Sequence, residues 1–144
     1  MAVKPVPKGY HTVTPSLAVK GAAKLIDFIK AAFGGEELMR MPMPSGEIMH
    51  AEVKIGDSIV MLNDAMQQPP TNTSLFLYVA DVDALYKRAV KAGASSVSEP
   101  ADMFWGDRMA QVKDHFGNTW GIGTHKEDVS PKEMQKRAEA AMKR

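Results

Sequence analysis

The sequence predicts an α+β protein in which two βαβββ modules form a curved mixed-sheet cup and a C-terminal helix follows. Three observations carry this. The order strand, helix, strand, strand, strand is legible from about residue 10 to 66 and again from about 74 to 124. The halves superimpose at an offset of 60 residues, which sets Leu17 on Leu77, Val19 on Val79, Leu25 on Leu85, Ala32 on Ala92 and Met49 on Met109, and a repeat of that length reports architecture. The stretch between them, QQPPTNT at about 67–73, cannot hold regular structure and reads as a linker inside a single 1–144 domain. Each sheet has one face covered by its helix and one bare, so two modules can turn their bare faces into a shared small-molecule site.

The elements follow in order. HTVTPSLAV at 11–19 alternates like a strand, with Val13, Leu17 and Val19 on one side. From Gly21 to Phe33 the apolar residues Leu25, Ile26, Phe28, Ile29 and Phe33 make a helical stripe, and Gly34-Gly35 end it. Strand-like runs at 36–42, 47–55 and 58–63 are separated by the turns PMPSGE and IGDS. In the second half, SLFLYVA at 74–80 is a strand, and a helix capped by Asp81 runs to Ala92 with Leu85 and Ala89 inward. Strands at 95–99, 107–113 and 118–123 complete the module. A last helix, about 130–143, has Ser130 as cap, Pro131 at its first position and Glu133 to close a capping box.

Composition removes several function classes. The net charge of +1 gives no general attraction to nucleic acid or to an anionic membrane. No cysteine is present, so there is no disulfide, thiol nucleophile or zinc–thiolate site. The N-terminal MAVKPVPKGYH has no apolar run suited to a signal peptide, and the expected location is cytoplasmic. The histidines are scattered without a nucleophile elbow, and FGGEE ends a helix instead of opening one, so it is not a phosphate loop. Glu36 and Glu37 adjoin on a strand and face apart, which excludes a paired-carboxylate hydrolase there.

The segments YHTVTPSLAV (10–19), IDFIKAAFGGEELMRM (26–41), MHAEVKIGDSIVMLND (49–64), DVDALYKRAVKAG (81–93) and FWGDRMAQVKDHFGNTWGIGTHKEDVSPKEM (104–134) resemble the vicinal oxygen chelate superfamily of glyoxalases, bleomycin-resistance proteins and dioxygenases. Within it the chain looks most like the PhnB-like branch. In metal-dependent members the resemblance implies four ligands, one near the start of the first strand and one on the last strand of each half. Carried onto this chain, those positions are Thr14, Met61, Ser74 and Gly121. They supply two hydroxyls, a thioether and no side chain, none of them a good donor for a hard or borderline divalent ion. No cofactor is therefore expected, and the glycine at 121 stands where a metal enzyme of this family would place a carboxylate.

A shifted site from His50, Glu52 and His11 is the fallback metal set. On an unbroken strand His11 faces away from Thr14, and at the 60-residue offset His50 and Glu52 fall on Ala110 and Val112, which leaves their face undecided. The FWGDR segment offers a second constellation. Trp105 can stack, Arg108 can grip a carboxylate or phosphate, and Asp107 is adjacent; alternatively the group only plugs the sheet end. His125-Lys126-Glu127-Asp128 shapes the approach to the last helix or binds something in its own right.

Two functions follow as expectations. The first is a metal-free homodimer that binds a small apolar or amphipathic molecule through Thr14, Met61, Ser74 and Gly121, with Trp105, Asp107 and Arg108 near the rim. The second is a metal-dependent lyase, isomerase or dioxygenase with an unusual ligand set.

Overall fold

The computed structural model describes residues 3–143; the two residues before them and Arg144 lie outside the description of the 1–144 chain. The described residues form two compact units, the first ending at Thr73 and the second beginning at Ser74. No helix among them is long and apolar enough to cross a membrane.

The first unit contains β1 (Ser16–Val19), α1 (Ala22–Phe33), β2 (Glu36–Pro42), β3 (Ile48–Ile55) and β4 (Ser58–Asp64). The sheet order is β1-β4-β3-β2, with β1 parallel to β4 and the other pairs antiparallel. The stripe of α1 buries Leu25, Ile26, Phe28, Ile29 and Phe33, and Leu17, Val19, Ala51, Val53 and Leu62 are fully buried on the sheet. Each of these leucine, isoleucine, valine and phenylalanine side chains contributes about 1.5–3 kcal/mol on removal from water. Helix α1 has no side-chain cap of its own, because its N-cap residue is Gly21, which has no side chain to accept from the first turn. The buried Asp64 at the end of β4 takes that role. Its Oδ1 accepts from Gly21 N at 2.8 Å and Ala22 N at 3.0 Å, and its Oδ2 accepts from Ile48 N at 2.7 Å. Burial pushes the Asp64 carboxyl up, but the three backbone donors outweigh it and hold the group below the usual aspartate range.

The second unit repeats the plan with β5 (Ser74–Tyr78), α2 (Val82–Lys91), β6 (Ser95–Asp102), β7 (Asp107–Lys113) and β8 (Thr119–His125), in the order β5-β8-β7-β6. Asp81 caps α2 through Ala84 N, and Thr124 Oγ1 accepts from Val82 N at 2.9 Å, as Asp64 accepts from Ala22 N in the first unit. Only Val82 and Ala89 of α2 are buried. Leu85 is half-buried, so α2 depends more than α1 on its polar ties. The DHFGN turn is organised by the buried Asp114, which accepts from Phe116 N, Asn118 N, Asn118 Nδ2 and Trp120 Nε1 at 2.7–3.0 Å. Trp120 is thereby locked into the core. The final helix, α3 (Pro131–Met142), buries no side chain and is tied down by Arg137, whose Nη1 donates to the Phe104 carbonyl at 3.2 Å and to Glu127 at 2.5 Å.

Several expectations need correction. Residues 11–15 are not strand. Val13 is 83% exposed, and Pro15, which lacks an N–H for a ladder, only accepts from Met61 N before β1 begins at Ser16. Strand β6 runs on to Asp102, through register shifts around Pro100, instead of stopping at 99. Ser130 Oγ does accept from Glu133 N, but the Glu133 carboxylate takes its hydrogen bond from Arg137 instead of closing a capping box. The repeat also has two intervals. Leu17 lies beside Leu62 and Leu77 beside Ile122, which are 60 apart; Ala51 lies opposite Leu62 and Ala110 opposite Ile122, so these partners are 59 apart. The β7–β8 turn is therefore one residue longer than the β3–β4 turn. Met49 does not fall on Met109; His50 does, and Glu52 falls on Gln111 instead of Val112. A one-residue slip exchanges the faces of a strand. With it removed, Ala51 and Val53 match Ala110 and Val112 on the helix side, and His50 and Glu52 belong to the bare face.

Candidate functional site

On the bare face of the first sheet, Glu52 of β3 lies opposite Met61 of β4. The chain before β1 folds back over them. Tyr10 N donates to the Pro7 carbonyl across a turn at Gly9, whose φ of 87° suits glycine, and the turn rests against the Ile59 Cδ1. Thr14 Oγ1 then donates to the His11 carbonyl at 3.1 Å. The result is a cavity of about 530 Å³ whose lining includes Tyr10, His11, Thr14, Glu52 and Met61. Thr14 and Met61 are thus brought together. His11 joins them because residues 11–14 turn, contrary to the strand-based expectation that His11 faces away. In the tautomer that carries its proton on Nε2, His50 donates to Glu52 Oε2 at 3.1 Å.

On the bare face of the second sheet, Phe76 of β5 lies beside Gly121 of β8. Its ring covers both Gly121 and Gly123: a methyl group on either would come within 2.5 or 2.6 Å of ring carbons. Phe76 remains 41% exposed, and its ring meets Tyr78 with centroids 4.8 Å apart. Ser74 and Gly121 share a smaller cavity of about 190 Å³ with Phe76, Ser98, Met109 and Gln111. Phe76 and Tyr78 were not singled out from the sequence. The alternation in SLFLY was their only signal, and it does not say that glycines lie beneath.

The FWGDR segment divides between the two faces of its sheet. Asp107, 5% exposed, accepts from Tyr78 Oη at 2.9 Å and from His125 Nδ1 at 2.7 Å. His125 Nε2 donates to Asp128 at 2.7 Å. A ring that donates from both nitrogens is an imidazolium. Asp128 first and Asp107 second raise the His125 pKa, while the His125 hydrogen bond, assisted by Tyr78 and Trp105 against the cost of burial, holds Asp107 below the usual range. Arg108 points to the helix side. Its Nε and Nη2 clasp the Asp83 carboxylate of α2 at 2.8 and 3.0 Å, and its Nη1 reaches Asp102 at 3.3 Å. Its fork is engaged by the protein's own acids and clamps α2, β6 and β7 together. Trp105 packs edge-on against Phe104 with centroids 4.9 Å apart. Asp107 and Arg108 also line a third cavity, of about 550 Å³, with Asp102, Gly106, Lys126 and Glu127.

Among the described residues no three His, Asp, Glu or Cys side chains are grouped so as to hold a metal ion. Thr14, Met61 and Ser74 add no imidazole or carboxylate, and Gly121 adds no donor at all. The donor set does not fit the divalent ion that metal-dependent members of the resembled family carry.

A family model described as the Glyoxalase/Bleomycin resistance protein/Dioxygenase superfamily matches residues 10–122. Uncharacterized proteins of Mycobacterium bovis and Mycobacterium tuberculosis are each 39% identical over 135 residues, covering 85% of this chain and 89% and 79% of theirs. Among solved structures, TioX from Micromonospora sp. ML1 is similar with a TM-score of 0.70 and 29% identity, over 80% of this chain and 98% of that one. TnmS3 from Streptomyces sp. CB03234, described as an antibiotic binding protein, is similar with a TM-score of 0.63 and 28% identity, over 87% of this chain and 98% of that one.

Proposed function

The chain belongs to the Glyoxalase/Bleomycin resistance protein/Dioxygenase superfamily, and from that premise we propose that it is a PhnB-like, metal-free homodimer that binds an aromatic or amphipathic small molecule. One observation carries the reading: the Phe76 ring lies on Gly123 and on Gly121, and 121 is a position where metal-dependent relatives by resemblance carry an ion ligand. A ring backed by bare main chain has one face pressed on the protein and the other turned outward, which suits stacking with a flat ligand. Ser98 and Gln111 beside it supply neutral hydrogen-bonding groups for orientation. The similarity to an antibiotic binding protein supports the same class.

A metal-dependent lyase, isomerase or dioxygenase is the second reading, favoured by the His50–Glu52 hydrogen bond and by His11 and Glu52 lining one cavity. The test is a ligand and metal titration followed by thermal melting. Aromatic compounds that raise the melting temperature of the wild type but not of Phe76→Ala support the binding reading. A stoichiometric nickel, zinc or iron ion that is lost in His50→Ala would refute it. Light scattering checks the dimer.

A further inference from the structure

We infer that the cavity over the bare face of the first sheet is a cation subsite, taking a ligand group that bears a protonated amine with Glu52 as its counter-ion. This rests on the reading of the chain as a small-molecule binder and adds the chemical class for one of its cavities.

Other carboxylates of the fold, from buried to nearly half exposed, are satisfied by the protein's own donors. Glu37 faces Lys30 and Arg40, Asp83 faces Arg108, and Asp107 faces His125 and Tyr78. Glu133 holds Arg137. Asp64 and Asp114 collect backbone and side-chain N–H donors. Glu52 is as shielded as Glu37, with 20% of its side chain exposed against 23%. Yet its one side-chain partner among the described residues is His50, on Oε2. Its second oxygen is left for whatever enters.

Among the described residues no lysine or arginine lines this cavity, and Glu52 is its one carboxylate. Besides Glu52 the wall holds the His11 imidazole; Val6, Tyr10 and Met61 supply surface for a hydrocarbon body, and Thr14 supplies a hydroxyl already turned to the His11 carbonyl. A partly desolvated carboxylate with one open oxygen is best matched by a charge-assisted N–H donor. The Tyr10 ring adds a face that favours cations. The volume, about 530 Å³, is within the range of small-ligand sites.

The test is a two-dimensional amide NMR titration of the full chain with three probes of matched shape: phenethylamine, 2-phenylethanol and phenylacetate. Phenethylamine is expected to shift the amides of Tyr10, Thr14 and Met61 and to bind about tenfold more tightly than the alcohol. In Glu52→Gln the two should come within about twofold, with the alcohol unchanged. Glu52→Asp, which keeps the charge, should retain part of the preference and guards against a folding defect in the first variant. Equal binding of amine and alcohol in the wild type, a preference that survives Glu52→Gln, or no shifts in this cavity would each overturn the inference. The Gly121 and Gly123 amides report the other cavity in the same spectra. If aromatic compounds still shift them in a Phe76-dependent way, only the cation subsite has failed; if nothing binds at either place, the broader reading fails as well.

Discussion

The Phe76 ring lies on the bare backbone of Gly121, with its Cδ2 only 2.5 Å from where an alanine methyl would stand. Any side chain at 121 must therefore displace the ring, and the two positions behave as one unit.

Gly121→Ala is accordingly expected to destabilise the protein by about 1–3 kcal/mol, the usual range for forcing a methyl into an occupied space. Most of that cost should vanish when Phe76→Ala is added. Chemical denaturation of the two single variants and the double variant measures the coupling. Strict additivity would mean that the ring does not hold this position in solution.

Asp64 replaces the missing cap of α1 and binds three backbone N–H groups. Asp64→Ala strands these donors and should cost about 2–4 kcal/mol. The folded-state pKa is depressed, so the carboxylate's contribution is complete above the unfolded aspartate value and is lost as pH falls through the folded one. Urea unfolding across the acid range should show a shallower acid limb in the variant than in the wild type.

His125 gives the opposite dependence. Its pKa is raised by Asp128 and Asp107, so its contribution is complete below the unfolded imidazole value and disappears as pH rises through the raised one. Asp107, lowered, loses its share only in acid. Melting curves taken between weakly acidic and alkaline pH should fall on the alkaline side in the wild type. The fall should be absent in His125→Gln, and NMR titration of the ring should place its midpoint above that of a free histidine.

Arg108→Lys keeps the charge but cannot clasp Asp83 with two parallel hydrogen bonds. A lowered melting temperature is expected, with a smaller drop than for Asp64→Ala because the pair is partly exposed. Aromatic ligands that depend on Phe76 should bind the variant as they bind the wild type. Loss of that binding would place Arg108 at the ligand site.

The sequence by itself determined the double βαβββ order, the α1 stripe, the Asp81 and Ser130 caps and the poverty of ion donors at Thr14, Met61, Ser74 and Gly121. These are local: side-chain periodicity, cap residues and donor chemistry act within a few positions of themselves. What it left open depends on pairing between strands. Whether His50 and Glu52 belong to the bare face was decided by the pairing of β3 with β4; the repeat could not show it, because the turn that Asp114 organises in the other half has one extra residue and a one-residue slip exchanges a strand's faces. The ring of Phe76 on its glycines and the clasp of Arg108 on Asp83 join residues up to 45 positions apart, as in the pairing of 76 with 121. Only the tertiary structure places such partners together, because each contact is fixed by the register of a neighbouring strand or helix and not by the residues on either side of it in the chain.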